Sequence, residues 1–597
     1  MKLSDYVMRF LAREGVRHVF MLPGGGAMHL VDSLGQCEEL EYICNLHEQA
    51  CAVAAEAYAR VTNTLGVALV TTGPGGTNAI TGVAAAWLDS TPTLFISGQV
   101  KRADMKGESG VRQLGVQETD IVSIVQSITK YAVTVTDPLT IRVHLERAIH
   151  EARSGRPGPV WIDVPLDVQA AEIDAETLPC WEAERPPTSD EEGVDVLTSQ
   201  IIELLNLAQR PVILAGNGIR LAGAQEDFQS LVDLLGIPVL TTRLGVDLIP
   251  SAHELCFGMP GSIAPRGANF TLQNADWLLI LGARLDMALI AYAPEKLARA
   301  AKKIMVNIDP AEIRKVASII DVPVCADAKV FISALRGQAA HLIPRDRARW
   351  TAQCREWKAR YPFVLPEHYE AVGGVSLYAF SDALSDALGP DAVILPGSAG
   401  NTGELFLTAF KVKSGQRVFH NKGTGAMGLA QPAAIGACVA SSRRSTICID
   451  GDGGFQMNIQ ELETVRRLGL PIVFFVVNNK GYASIRASQG SYFGRLTGAD
   501  ATSGLTLPDV MAVAAAFGLN TARIADQRNL RGQIESVLAM PRPLVCEVVA
   551  IPDEARAPRV ASMKRPDGSM VSNPLEDMWP YLDREEFLAN MVIDPIE

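Results

Sequence analysis

At 597 residues the chain is too long for one hydrophobic core and divides into about three or four domains. Its 48% hydrophobic and 20% charged residues describe an ordinary, well-packed, water-borne protein. A formal net charge of −13 argues against nucleic acid or an anionic membrane as partner, since both select clustered Lys and Arg, but leaves small anion pockets open.

The opening stretch, MKLSDYVMRFLAREGVRHVF, mixes charges into an amphipathic helical pattern unlike a cleavable leader. No apolar run is long enough to span a bilayer. The ten cysteines are scattered without a C-x-x-C pair or Cys/His ligand spacing, which fits reduced thiols. These features predict a soluble, cytoplasmic protein.

Short β-branched or apolar runs then alternate with Ala-rich helical stretches, the signature of parallel sheets built from βαβ units. Strands are expected at Val67–Thr71, Thr93–Ser97, Val160–Val164, Val212–Ala215, Trp277–Leu281, Thr446–Ile449 and Ile472–Val477. Linkers are expected near 173–192, which includes ERPPTSDEEG, and near 338–374, where charge clusters and ARYPFVLPEHYE break the pattern. The expected fold class is α/β, with three doubly wound parallel-sheet domains at 1–172, 193–337 and 375–550, and a C-terminal tail at 551–597. No short-period repeat is visible.

The strongest chemical signal lies in the third block. The strand STICI runs into Asp450-Gly451-Asp452-Gly453-Gly454-Phe455, and the next strand, PIVFFVV, ends at Asn478-Asn479. Both segments fall at the carboxyl ends of parallel strands, where open α/β sheets bind ligands. Magnesium takes hard oxygen ligands and commonly shares them with phosphates. Asp452 offers a carboxylate, Asn479 an amide oxygen and Gly481 a backbone carbonyl. Gly451, Gly453 and Gly454 allow close approach of a phosphate to backbone amides. Either half alone would be an ordinary turn; together and in order they point to a metal–diphosphate site.

Gly451-Asp452-Gly453 followed by Asn478-Asn479 resembles the fingerprint of thiamin-diphosphate enzymes. Over nearly its whole length the chain is similar to the acetolactate synthase (acetohydroxyacid synthase) catalytic subunits, through LPGGGAMHLVDSL, HEQACAVAAEAYAR, TTGPGGTNAITGVAAAW, GRPGPVWIDVPLDVQ, GAMGLAQPAAIGA, GDGGFQMNIQELET and NPLEDM. The resemblance implies a pyrimidine-binding, a central and a diphosphate-binding domain in that order. It implies thiamin diphosphate and Mg2+ as cofactors, and a reaction that decarboxylates pyruvate and joins the two-carbon unit to a second 2-oxo acid.

The resemblance also nominates site residues. Glu48, in His47-Glu48-Gln49, would share a proton with N1′ of the cofactor's aminopyrimidine. The residues themselves mark Glu48 as unusual, because it follows the apolar LEYICNL and opens a small-residue helix, where a carboxylate needs a partner. Met427 would wedge the cofactor into a V shape while backbone groups of Gly425 and Met427 meet the pyrimidine edge; a Met in an apolar loop is otherwise core filler. Gly25, Gly26, Gln117 and Lys130 match positions on the substrate side. FAD, held without redox use, is implied in the central block, where the matching stretches contain Gly216, Gly258, Arg284 and Asp309; one Gly-rich strand end alone is weak evidence.

Two positions depart from the relatives that make branched-chain precursors. Val116 stands where they carry an aromatic before the active-site Gln, and Ser488 where they carry a Trp. Smaller groups leave a wider acceptor pocket, so the alternative acceptor is a ketone or keto-sugar. Simple decarboxylases of this superfamily carry adjacent histidines, and none of the nine His here has a His neighbour. An oxidase that passes electrons to flavin is a further alternative. The resemblance implies a homodimer or homotetramer whose site lies between the pyrimidine block of one subunit and the diphosphate block of another, and it leaves a regulatory subunit open.

Overall fold

The computed structural model describes residues 1–183, 191–397, 400–564 and 570–596. The core of the expected first linker, 184–190, lies outside the described residues. Three parallel sheets carry the architecture.

The first sheet contains β1 (His18–Met21), β2 (Glu41–Cys44), β3 (Gly66–Val70), β4 (Thr93–Gln99), β5 (Tyr131–Thr134) and β6 (Pro159–Pro165). Its order is β2-β1-β3-β4-β6-β5. Every residue of β3, β4 and β6 is buried, as expected of parallel strands covered by helices on both faces. The second sheet contains β7 (Pro211–Ala215), β8 (Val239–Thr241), β9 (Trp277–Leu281), β10 (Lys302–Asn307) and β11 (Val322–Cys325), in the order β11-β10-β9-β7-β8. The third contains β12 (Val393–Pro396), β13 (Arg417–Val418), β14 (Thr446–Gly451), β15 (Ile472–Asn478), β16 (Asn520–Ile524) and β17 (Leu544–Val549), in the order β13-β12-β14-β15-β17-β16.

The first and third sheets therefore share one topology, strand for strand. Each places its topological switch between its first and third strands, so two crevices open at the carboxyl ends, one at β1/β3 and one at β12/β14. The two units pack through equivalent helices, Glu48–Thr62 and Ala430–Ala440. Small residues permit this close crossing. A Cβ on Gly436 would stand 2.0 Å from the Ala54 carbonyl oxygen.

Buried charge joins all three units. Arg60, on the first, is held by Glu56 and by Asp89 at 2.6 Å, and its Nη1 donates to the His420 carbonyl of the third at 3.1 Å. Asp247, on the second, accepts from Arg220 at 2.9 Å and from Arg417 of the third at 2.6 Å.

The stretch 338–374, expected as a linker, instead carries the helix Ala348–Arg360, packed on the helix Arg266–Gln273. Its charges occupy the outer face, while Trp350, Cys354 and Trp357 recur at helical spacing and are buried. Trp350 donates to the Pro211 carbonyl at 3.1 Å. The C-terminal segment folds back onto the central unit. Asn269 Nδ2 donates to the Leu575 carbonyl at 2.8 Å, and Glu576 receives Gln273 at 2.6 Å and Arg299 at 2.7 Å. Among the described residues, no helix is long and apolar enough to cross a membrane.

Candidate active site

The β14–β15 register pairs Gly451 with Val477, which sets Asp452 opposite the Asn478-Asn479 turn. Asp452 is buried, and both its oxygens accept backbone N–H groups: Oδ1 from Gly453 and Oδ2 from Gly481, each at 2.9 Å. Burial pushes its carboxyl up to about 6. Neighbouring Asp450 is pushed up to about 7, again first by burial, and its Oδ2 has no partner. The Asn479 side-chain oxygen is likewise buried without a partner. Two unpartnered buried oxygens beside a third carboxylate oxygen are costly in an apolar setting and fit a hard cation with oxygen ligands. Among the described residues no three His, Cys, Asp or Glu side chains converge on one point, so such a cation would draw on one carboxylate, an amide and backbone oxygen.

The surrounding loop is fixed from behind. Arg486, itself buried, donates to the Asn479 carbonyl at 2.8 Å and to the Lys480 carbonyl at 3.2 Å, and pairs with Asp553 at 3.0 Å. The ring of Tyr482 fills the space beside Gly453, while the space beside Gly451 is open.

Glu48 begins its helix and is buried, with Oε2 accepting from Asn78 Nδ2 at 3.0 Å. His47 caps the same helix by accepting the Gln49 N–H at 3.1 Å. Asn458 connects this motif to the Met427 loop, donating to Gln49 Oε1 at 2.9 Å and to the Gly428 carbonyl at 2.7 Å. Gly425 lies in the left-handed region at φ +59°, and Met427 is partly exposed beside it.

Gly25 and Gly26 sit at the β1/β3 crevice. The Gly26 N–H donates to Thr71 Oγ1 at 3.1 Å, and its carbonyl accepts from Gln169 at 2.7 Å. Gln117 reaches the same crevice, its carbonyl pressed against Gly73. Lys130 packs beside Gly158. Its ammonium donates to the Ser154 carbonyl at 2.6 Å, and burial pulls its pKa down.

A second cavity, about 1180 Å3 counting the solvent in its mouth, runs between the central unit and the other two. Arg284 lines it, with Arg156, Asn217, Thr242, Gly282 and Asp327. Gly216 stands directly behind, where a Cβ would lie 2.3 Å from the Gly282 carbonyl oxygen. Asp309 touches the cavity through Arg156, which it holds at 2.8 Å. Gly258, at φ +92°, lies outside the lining.

Several residues here escaped the sequence reading. Asn78 stood inside TTGPGGTNAITG but carried no signal of its own. Arg156 and Arg486 were not singled out either, and only the fold brings Arg156 to the cavity wall and buries Arg486.

Comparison with known proteins agrees with this geometry. Residues 1–124 match the thiamine pyrophosphate enzyme N-terminal TPP binding domain, 198–335 the central domain, and 398–548 the C-terminal TPP binding domain. The acetolactate synthase large subunit of Porphyra purpurea is 31% identical, covering 93% of this chain and 92% of its own length. That of Lactococcus lactis subsp. lactis is 31% identical over 93% and 94%. The probable acetolactate synthase large subunit of Methanocaldococcus jannaschii is 31% identical over 93% of each. Matched in all three units and along nearly its full length, the chain belongs to the thiamine pyrophosphate enzymes, in the acetolactate synthase large-subunit family.

Proposed function

We propose that the protein is a carboligase that decarboxylates pyruvate and transfers the resulting two-carbon unit to a second 2-oxo acid, using thiamin diphosphate and Mg2+. The observation that carries this reading is the buried, unpartnered Asn479 oxygen beside Asp452 at two adjoining strand tips.

Asp452, Asn479 and the Gly481 carbonyl would hold the cation, and Gly451, Gly453 and Gly454 would border the diphosphate. Gly425 and Met427 would meet the pyrimidine edge. When bound, thiamin diphosphate supplies the nucleophilic carbon and the electron sink for loss of carbon dioxide. Glu48 holds the proton that is exchanged with the ring nitrogen N1′. Asn78 occupies its Oε2 and so leaves Oε1 as the exchanging atom. Gly25, Gly26 and Gln117 at the β1/β3 crevice would face the substrate. Leu46, Val116, Met427 and Met457 expose large apolar surface around these loops, which supports a homo-oligomer with the cofactor between two chains.

FAD fits the second cavity. Arg284, which has no carboxylate partner among the described residues, offers charge for its pyrophosphate, and the Asn217 side-chain oxygen is buried there without a partner.

A second reading, transfer to a ketone or keto-sugar, is favoured by Val116 and Ser488. Val116 is 87% exposed, and the Ser488 hydroxyl donates back to the Ile485 carbonyl at 3.1 Å, so neither places bulk over the crevice. Product analysis tests both readings. Pyruvate alone should give a ketol acid with release of carbon dioxide, and pyruvate plus a ketone should give a branched ketol if the wider acceptor is used. Free aldehyde as the sole product would overturn carboligation.

A further inference from the structure

The motif GDGGFQMNIQELET extends well past Asp452. From there the chain runs through the short helix Asp452–Phe455 and the 3-10 turn Gln456–Asn458 into the helix Glu461–Leu468. Glu461, the first residue of that last helix, is wholly buried and reaches across to the first unit. Its Oε2 accepts from Asn45 Nδ2 at 2.9 Å and from Thr464 Oγ1 at 2.8 Å, and its Oε1 accepts the Leu46 N–H at 2.8 Å. Three donors and no acceptor suit an ionised carboxylate, which can only accept.

These bonds fall on the turn that leads into Glu48. The Asn45 N–H still belongs to its own sheet, donating to the Met21 carbonyl of β1 at 3.0 Å. The next N–H, of Leu46, goes to Glu461 instead. Arg467, on the same helix as Glu461, donates to the Cys44 carbonyl at 2.5 Å. On the other side of Glu48, Asn458 holds Gln49 Oε1 at 2.9 Å. Glu48 is therefore bracketed, with Leu46 before it and Gln49 after it both tied to the segment Asn458–Glu461.

A group that exchanges a proton must be held within about 0.5 Å and 10–20° of its working geometry. A displacement of about 1 Å can cost on the order of 10²-fold in rate. Asn78 fixes one oxygen of Glu48 but not the backbone that carries it.

We propose that Glu461 is a positioning residue for Glu48, fixing the entry to its helix so that the carboxylate stands in place for proton exchange. Asn458 is the second clamp. The proposal rests on the role given above to Glu48, and it adds the residue of another unit that sets its position.

The test compares Glu461→Gln with Thr464→Val. Glutamine keeps the size of the side chain but puts an N–H group where one accepting oxygen stood, so Asn45 or Leu46 loses its acceptor. Valine removes a donor to the same carboxylate and neither tie to the turn. In cofactor-free protein, deuterium uptake by a peptide covering 45–49 should quicken at least about tenfold in Glu461→Gln. In enzyme loaded with thiamin diphosphate and magnesium, exchange of the cofactor's C2 proton for deuterium, followed by NMR after acid quench, should slow roughly 10–100-fold. Cofactor affinity and the KM for pyruvate should stay close to wild type, and Thr464→Val should behave as wild type in both exchange measurements. A residue that acts only through Glu48 adds nothing once Glu48 is gone, so Glu48→Gln/Glu461→Gln should exchange no more slowly than Glu48→Gln alone.

The proposal is overturned if C2 exchange in Glu461→Gln equals that of wild type, or if the two losses multiply in the double variant. Should Glu461→Gln fail to fold, Asn45→Ala removes one tie and leaves the carboxylate bonded to Leu46 and Thr464. It should slow C2 exchange severalfold, and a wild-type rate there overturns the proposal equally. Wild-type enzyme whose bound cofactor exchanges no faster than free thiamin diphosphate would defeat the role of Glu48 instead.

Discussion

The Gly481 N–H donates to Asp452 Oδ2 at 2.9 Å, closing the loop after β15 onto the tip of β14. This bond makes the two halves of the candidate cation site one rigid unit before any ligand arrives, and it leaves the second lone pair of Oδ2 free to coordinate. Asp452→Ala removes the carboxylate and the loop's anchor together. Magnesium-dependent binding of thiamin diphosphate should weaken by at least about 100-fold by calorimetry. Unchanged affinity would remove Asp452 from the site.

Glu48→Gln keeps the size of the side chain and the hydrogen bond to Asn78 but cannot exchange a proton. Turnover should fall on the order of 10²–10⁴-fold, with the circular dichroism spectrum and most of the cofactor affinity retained. Turnover near that of wild type would refute the role.

How much of this was legible in the sequence depends on range. Strands such as Trp277–Leu281 and Ile472–Asn478 are buried on both faces, so they appear as unbroken apolar runs. The pairing of Asp452 with Asn479 was legible because each sits at the end of such a run. The shared order of the first and third sheets was not, since strand order is set by pairings between distant segments that leave no local trace. The helix Ala348–Arg360 was misread because its outward charges hid the Trp350–Cys354–Trp357 stripe. Asn78 reaches Glu48 from a separate helix, so nothing near either residue announced the contact.

The Arg60 cluster should be a strong stability determinant. Arg60→Met leaves Glu56 and Asp89 buried without their counter-charge and breaks the bond to the His420 carbonyl. Losing one partner of a buried ion cluster costs about 3–5 kcal/mol. Urea unfolding should show a loss of that size, far above the effect of Arg531→Met at the exposed pair with Glu535.

Gly216→Ala tests the cavity of the central unit. The new Cβ would meet the Gly282 carbonyl oxygen at 2.3 Å and Ala283 Cα at 2.6 Å, and neither is a side chain that can turn away. The β7 and β9 tips must separate, which deforms the cavity wall. Flavin absorbance per chain in the purified protein should drop severalfold, while thiamin diphosphate affinity at the third sheet stays close to wild type. Equal flavin content in both proteins would count against FAD at this cavity.

Asp163, in the first sheet, offers a pH test of stability. Its carboxyl is wholly buried between β4, β5 and β6, accepting from Ser97 at 2.6 Å and from Gln99 and Thr134 at 3.1 Å. Burial outweighs these bonds and raises its pKa from the ordinary 3.8 to about 7. In the unfolded chain the group ionises near its ordinary value, so between about pH 4 and 7 the folded state holds more protons and stability falls as pH rises. Below that window the acid is neutral in both states and the penalty is absent; above it the full penalty applies, roughly 4 kcal/mol. Asp163→Asn stays neutral throughout; its carbonyl oxygen can keep the Gln99 and Thr134 donors while its amide nitrogen donates to Ser97 Oγ, whose hydroxyl can turn to accept. The variant should match wild type near pH 4 and exceed its stability increasingly toward pH 8 in denaturant titrations. A difference that is flat with pH would show that Asp163 is not the titrating group, and a variant that loses stability most at high pH would show that its three hydrogen bonds outweigh its burial.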